Sequence, residues 1–163
     1  MKKLQTLILL ISFLVASCTG LVSLSTERQS AANNSIRYDG FFYNEPDLAH
    51  IFIYKNGIIY TWAGGPGYLL EDFDKYYSNL DNYETSYDLP YCWGVYNIQG
   101  RMINFEKWTS TDAFAPYKTN KFTGEIINDT TLIINHPAKS IGIDTFYFQK
   151  FEYKPDSTNK FVK

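Results

Sequence analysis

The strongest constraint on the fold is a succession of short apolar runs separated by turn dipeptides, from Tyr38 onward. The clearest unit joins residues 51–55 to residues 58–62 through Asn56-Gly57, which readily adopts the positive φ angles of a type I′ turn. Consecutive strands joined by such short turns form antiparallel hairpins. The sequence therefore predicts an antiparallel β-meander.

The alternation of side chains predicts which residues share a face in the first two hairpins. In the first hairpin, a two-residue turn sets Lys55 opposite Ile58. Five apolar residues then share one face: Ile51, Ile53, Ile58, Tyr60 and Trp62. A second hairpin pairs residues 93–98 with residues 101–108 around Gln99-Gly100. Its more apolar face carries Tyr96, Ile98, Ile103 and Phe105.

The remaining strands are predicted from the same pattern. Residues 122–127 and 131–135 form a third hairpin around Asn128-Asp129, with the same faces expected for a loop of two or four residues. An initial strand over 39–43 and a final strand over 145–153 bring the total to about eight.

One segment departs from the strand pattern and predicts a helix. Apolar residues recur there at helical spacing, with acidic and basic residues between them. They are Leu69, Leu70, Phe73, Tyr77 and Leu80. We expect an amphipathic helix inserted between the third and fourth strands, where it would cover an open end or face of the β structure.

The composition supports an all-β domain and excludes one class of partner. Aromatic residues make up 18% of the chain, and their rings pack well across pleated strands. The net charge is -2, and no cluster or stripe of Lys and Arg occurs. The electrostatic footprint of a nucleic-acid-binding protein is therefore missing from the sequence.

About eight consecutive antiparallel strands with short turns resemble the up-and-down barrel of lipocalin-like, or calycin, proteins, including small lipoproteins of Bacteroidota. The resemblance covers roughly residues 36–154, with Gly40-Phe41-Phe42 in place of the Gly-x-Trp of a lipocalin first strand. It implies a closed barrel with a ligand inside. A two-sheet β-sandwich would give nearly the same pattern and is the alternative fold.

The N-terminus carries the features of a secretory leader. Lys2 and Lys3 precede an apolar run over residues 4–15 that is short for a bilayer span. Residues 14–18, Leu-Val-Ala-Ser-Cys, resemble the lipobox of bacterial lipoproteins. The resemblance implies cleavage before Cys18 and a diacylglycerol thioether on it, usually with an N-acyl chain, so that the membrane is a partner through lipid.

These features predict three regions and a location. Residues 1–17 are the signal peptide, residues 18–35 are the lipidated cysteine and a flexible tether, and residues 36–163 are the β domain. Thr19 follows the cysteine, which by analogy with enterobacterial sorting implies the outer membrane. Because no acidic run follows Cys18, the periplasmic face is favoured.

Catalytic motifs are weak. His50 and His136 are the two histidines, on different predicted elements, and neither has a partner at metal-ligand spacing. Cys92 lies in aromatic surroundings that are typical of an inert, packed thiol. We therefore expect no enzyme activity, no metal and no cofactor.

The aromatic excess provides the candidate ligand-binding residues. The predicted pocket wall consists of Tyr60, Trp62, Tyr96, Phe105 and Trp108, with Arg101 near the rim. The leading hypothesis is an envelope lipoprotein that binds a small apolar or amphipathic ligand. The plainer alternative is that the same aromatic side chains fill the barrel interior and leave no pocket. The second function is an interaction module for a protein or glycan, which would use the helix and the tyrosines of the loops around it.

Overall fold

The computed structural model describes residues 21–29, 34–45, 49–63, 88–109, 117–136 and 142–162. Within these ranges, the strands form one closed antiparallel barrel in chain order. They are β1 (Gly40–Asn44), β2 (Ala49–Ile53), β3 (Ile58–Ala63), β4 (Trp93–Gln99), β5 (Met102–Thr109), β6 (Lys118–Asn128), β7 (Thr131–Asn135) and β8 (Ile143–Lys150). A 3-10 turn, Pro90–Cys92, precedes β4. The all-β barrel of about eight strands is thus confirmed.

Pairing between the first and last strands closes the barrel. Phe42 lies opposite Phe148, and Gly40 lies opposite Lys150. A Cβ atom at Gly40 would lie 1.9 Å from the carbonyl oxygen of Gln149, so this close approach requires glycine. Because closure leaves one continuous sheet, the β-sandwich alternative is wrong.

The first hairpin has a different register from the predicted one. Ile53 pairs with Ile59, and the Tyr54 amide donates to the Ile58 carbonyl at 3.0 Å. The loop therefore has three residues and ends at Gly57, whose φ of 79° is the left-handed conformation of such loops. Ile51 and Ile53 still share a face, but this one-residue slip exchanges the two faces of β3 relative to those of β2. Ile59 and Thr61 point into the barrel, whereas Ile58 and Tyr60 point outward, so the predicted faces of this hairpin are wrong.

The other two hairpins differ in how well alternation predicted them. In the second, Tyr96 pairs with Phe105 and Ile98 pairs with Ile103, which confirms their shared face. In the third, a bulge near Ile127 shifts the register, so that Ile126 pairs with Leu132. The faces expected for a loop of two or four residues therefore differ from the observed ones, because neither loop length allows for the one unpaired residue that the bulge inserts.

The barrel has an inner core and an outer core. The inner core contains side chains from all eight strands: Phe42, Ile51, Ile53, Ile59, Tyr96, Ile98, Ile103, Phe105, Ile126, Leu132, Ile134 and Phe146. The outer core covers the outside of β1 to β5: Phe41, Phe52, Ile58, Tyr60, Trp93, Val95, Trp108, Phe151 and Val162. Several strands are therefore buried on both faces.

Segments from both ends of the chain cover the outer core. β8 ends at Lys150, earlier than predicted, and Phe151 then packs among the outer rings. At the other end, the Gln29 amide donates to the Tyr96 carbonyl at 2.7 Å, beyond the last β3–β4 pair. Residues 21–29 were predicted to belong to the tether, yet they pack against the barrel wall.

Two predicted elements lie outside the described residues. They are the leader with Cys18 and the helix over residues 69–80. Among the parts of the chain that are described, no helix is long and apolar enough to cross a membrane.

Candidate functional site

The two ends of the barrel differ in how their strands are connected. Short turns join β2 to β3, β4 to β5 and β6 to β7 at one end, which we name the turn end. The connections from β1 to β2, β3 to β4, β5 to β6 and β7 to β8 lie at the opposite end, which we name the mouth. In β-barrels, ligands enter at the end where the longer connections lie.

At the turn end the interior is apolar and filled. Ile53, Ile98 and Ile126 are buried there in the inner core. Tyr96 is completely buried, and its hydroxyl donates to the Tyr54 carbonyl at 2.7 Å. Burial, together with a hydrogen bond to Tyr38, raises the pKa of Tyr96 far above its usual range. This phenol is therefore neutral, and it completes a sealed half of the barrel.

At the mouth the inward positions become polar. Residues two positions apart on a strand share a face. Four polar residues therefore lie on the inner face, each two positions from an inner-core residue of its own strand: Asn44, Thr61, Lys107 and Asp144. The Lys107 ammonium donates to the Thr61 hydroxyl at 2.5 Å, and the Thr61 hydroxyl donates to the Cys92 carbonyl at 3.5 Å. A cationic group thus lies inside the barrel wall, linked across three strands.

A glycine makes room for this lysine. Gly94 on β4 pairs with Lys107 on β5 and with Ile59 on β3. A Cβ atom at Gly94 would lie 2.3 Å from the Glu106 carbonyl oxygen and 2.9 Å from the Lys107 Cβ. Because no side chain stands at this position, Lys107 reaches across β4 to Thr61.

Among the residues that the structure describes, Lys107 has no acidic partner. Its one hydrogen-bond partner in the described part of the chain is Thr61, and none of the ion pairs found there includes it. Burial lowers the pKa of Lys107, and the nearby Cys92 opposes this shift. Burial raises the pKa of Cys92 to about 11, so its thiol is neutral at physiological pH.

Two other titratable side chains at the mouth are hydrogen-bonded to each other. His136 Nε2 and Asp144 Oδ2 are 2.6 Å apart, and the His136 amide donates to the Gly142 carbonyl. The His136 ring meets Phe122 edge to face, and Phe122 stacks on Phe105 with ring centroids 4.7 Å apart. The described part of the mouth therefore combines an aromatic shelf, a hydrogen-bonded His–Asp pair and one lysine that has no acidic partner among the described residues.

The structure separates the six predicted ligand-binding residues. Tyr96 and Phe105 belong to the inner core, whereas Tyr60 and Trp108 belong to the outer core. Trp108 donates its indole N–H to the Val22 carbonyl at 2.7 Å. Arg101 lies at the turn end, where it donates to the Ile126 and Ile127 carbonyls. The side chain of Trp62 lies outside the described set.

Sequence reasoning missed Lys107 and Thr61. Lys107 follows Phe105 by two residues, and alternation within the correctly predicted second hairpin assigns both to one face. That signal was present in the sequence. Thr61 had no such signal. The predicted register of the first hairpin grouped Tyr60 and Trp62 with Ile51 and Ile53, whereas in the structure Thr61 lies opposite Ile51.

The two other residues considered for catalysis lie elsewhere. His50 is 1% exposed on the outer face of β2, with its ring 5.2 Å from that of Phe41. Burial lowers the pKa of His50 to about 3. In the described ranges, no group of three or more His, Cys, Asp or Glu side chains has an arrangement that would hold a metal ion.

Comparison of the chain with protein-family models, with curated proteins and with solved structures finds no match. Functional inference therefore depends on the chemistry of the site itself. An ammonium and a hydroxyl beside an aromatic shelf are suited to hold a molecule that is apolar over most of its surface and polar at one end.

Proposed function

We propose that the protein is a non-enzymatic envelope lipoprotein whose lipocalin-like barrel binds a small apolar or amphipathic ligand at the mouth. The observation that carries the proposal is the change in polarity along the interior, from the filled turn end to Lys107 at the mouth, which has no acidic partner among the described residues. A barrel that serves only as a scaffold gains nothing from an enclosed cation, because desolvating a charge costs free energy. A ligand would compensate that cost.

The strand order supports the lipocalin-like part of the proposal. Every strand pairs with its neighbour in sequence, and β8 closes on β1, as in up-and-down barrels that hold one small ligand. The filled turn end favours a ligand in the mouth half. There the stacked rings of Phe105 and Phe122 would contact its apolar part.

The binding proposal is tested on the protein purified from the envelope of its own host. Native mass spectrometry and organic extraction should reveal one small apolar or amphipathic molecule per chain. Absence of any such molecule, together with no uptake of added amphiphiles, would contradict the proposal. That result would favour the interaction module, whose predicted helix and surrounding loops lie outside the described residues.

The membrane anchor is a separate part of the proposal. We propose lipid on Cys18 and attachment to the outer membrane, on its periplasmic face. A Cys18→Ala variant of the full chain should lose labelling by a radioactive or clickable fatty acid and should leave the membrane fraction. Cys92→Ala is the matched control, because Cys92 is buried in the barrel and should keep both properties. Unchanged labelling of Cys18→Ala would contradict the lipid anchor.

A further inference from the structure

We infer that Lys107 and Thr61 form a receptor for a carboxylate, and that the ligand is a small apolar carboxylic acid. This inference rests on the proposed function, since it assumes that the barrel mouth holds a ligand. It adds the chemical class of the head group and the residues that recognise it.

The first argument is geometric. The ammonium has three N–H donors, and Thr61 accepts from one of them. The space that a side chain at position 94 would need is taken by the start of the lysine side chain, since a Cβ atom there would lie 2.9 Å from the Lys107 Cβ, and among the described residues Thr61 is the one hydrogen-bond acceptor of the ammonium. The remaining donors of Lys107 are therefore available to a group inside the barrel.

The second argument is a comparison of charged groups. Lys154, like Lys107, is half-buried, but its ammonium donates to the carbonyls of Tyr38 and Ile53 and lies 4.4 Å from the Tyr54 ring centroid. Asp144 pairs with His136. Of these three groups, and counting partners among the described residues, Lys107 has a single neutral partner, whereas buried charges in proteins are normally paired.

The third argument concerns the head group. A single ammonium next to one hydroxyl matches a monoanion with two oxygen atoms, whereas a phosphate dianion is usually bound by several cationic or amide donors. Within the described residues, none of the ion pairs includes Lys107. The Cys92 thiol has its pKa raised by burial and is neutral, Asn120 on β6 is uncharged, and Asp144 across the mouth is engaged by His136. A carboxylate from outside would be the missing partner.

The size of the acid follows from the inner core. Ile59, Tyr96 and Leu132 fill the middle of the barrel and are completely buried. A long alkyl chain would have to displace them, whereas a short chain or a single ring can lie on the shelf of Phe105 and Phe122. We therefore expect acids of roughly the size of octanoate or smaller.

Binding of a carboxylate has a distinctive pH signature. Burial lowers the pKa of Lys107 in the free protein, with Cys92 opposing the shift, and an anion beside the ammonium would raise it again. Above the lowered pKa, binding must take up a proton. Affinity for a carboxylate should therefore fall as the pH rises through that pKa, while affinity for a neutral analogue should not change.

The experiment compares octanoate with octanamide by isothermal titration calorimetry on protein that cells process from the full chain. Wild type should bind octanoate roughly tenfold to hundredfold more tightly than octanamide, as expected for one charge-assisted interaction. Lys107→Met should remove this preference and leave the affinity for octanamide unchanged. Lys121→Met, an exposed lysine on β6, is the matched control and should keep it. Thr61→Val should lower the affinity for octanoate severalfold.

The outcomes separate the two proposals. If octanamide and octanoate bind wild type equally, or if Lys107→Met keeps the preference, the carboxylate receptor is wrong but ligand binding stands. If neither probe binds wild type, the proposed function fails and the receptor fails with it. If Lys107→Met does not fold, NMR titration of ¹³C-lysine wild type decides: octanoate should raise the pKa of one lysine, and no change would overturn the inference.

Discussion

The inner and outer cores of this barrel are built differently. The inner core takes aliphatic and aromatic side chains from all eight strands, in pairs set by strand register. The outer core is a chain of rings, in which the centroid of Phe52 lies 5.8 Å from that of Tyr60 and that of Tyr60 lies 4.9 Å from that of Trp93. Residues 21–29 and 151–162 cover it.

This difference explains much of the aromatic content of the chain. Rings that resembled pocket walls, such as Tyr60 and Trp108, hold the terminal segments against the outside of the barrel. The inner core needs only strand pairing to become buried, whereas the outer core needs segments that are distant in sequence. The comparison teaches that aromatic residues on a strand do not by themselves identify a ligand pocket.

The largest effect is expected from removing a ring of the outer core. Trp93 is completely buried, so Trp93→Ala should lower the free energy of unfolding by about 3–5 kcal/mol, as for an interior aromatic residue. Urea denaturation measures this change. Met102→Ala is the control, because Met102 is 45% exposed and its loss should cost less than about 0.5 kcal/mol. A Trp93→Ala cost near that of the control would mean that the outer core is not a true core.

The next largest effect is a loss of stability at low pH that we expect from His50, on the outer face of β2. Burial holds the pKa of His50 at about 3 in the folded protein, whereas the unfolded chain has the usual value near 6.5. Between these values the unfolded chain binds more protons, so stability should fall as the pH drops. From pH 7 to pH 4.5 the contribution of His50 is about 2–3 kcal/mol.

A His50→Phe variant isolates this contribution. Its unfolding free energy should decrease less than that of wild type over the same pH interval, by about 2–3 kcal/mol. Urea denaturation at both pH values gives the difference. Equal decreases in the two proteins would show that His50 does not remain neutral in the folded state.

A smaller effect is expected where the N-terminal segment meets the outer face. Glu106 is 1% exposed, and its carboxylate accepts from the amides of Ser25 and Thr26 at 2.8 and 2.7 Å. Burial would raise the pKa of Glu106, but hydrogen bonds from Thr119, Thr26 and Ser25 outweigh it and lower the pKa. Stability from this group is present above the unfolded pKa and is lost as the pH falls through the lowered, folded value.

Glu106→Gln tests the attachment of this segment. The substitution should cost about 1–2 kcal/mol and should speed hydrogen exchange of the Ser25 and Thr26 amides. The control is Glu125→Gln, because the Glu125–Arg101 pair is exposed and 3.5 Å long and should contribute less than about 0.5 kcal/mol. Unchanged amide exchange in Glu106→Gln would contradict a role for the carboxylate in holding residues 21–29.

The smallest effect distinguishes the two ends of the barrel. Arg101 is exposed at the turn end, so Arg101→Ala should cost less than about 1 kcal/mol and should leave octanoate affinity unchanged. Differential scanning calorimetry measures the stability and isothermal titration calorimetry measures the octanoate affinity, each in comparison with Lys107→Met. A loss of octanoate affinity in Arg101→Ala would move the proposed site away from the mouth.

The sequence predicted the inner core of the second hairpin well and that of the first hairpin poorly. Both have a glycine in the turn, and Gly57 and Gly100 both have positive φ. The two turns differ by one residue, since the loop after Tyr54 has three residues and that after Gln99 has two. A slip of one residue cannot be seen in a dipeptide motif, but it exchanges the inward and outward residues of one strand relative to its partner.

The candidate site was partly within reach of the sequence. Alternation from Phe105 assigns Lys107 to the interior, but its partner Thr61 depended on the register of the first hairpin. The role of Gly94 also required the structure, because a lysine crosses a strand only where that strand lacks a side chain. The attachment of residues 21–29 to Glu106 had no sequence signal, since the partners are about eighty residues apart.

By itself, the sequence determined the class of fold, about eight antiparallel strands in chain order, because turn residues and alternation act over a few neighbouring positions. Only the tertiary structure decided closure into a barrel, the second core on its outer face and the enclosed lysine at its mouth. Those features depend on contacts between residues far apart in the chain. Local preferences do not encode such distances.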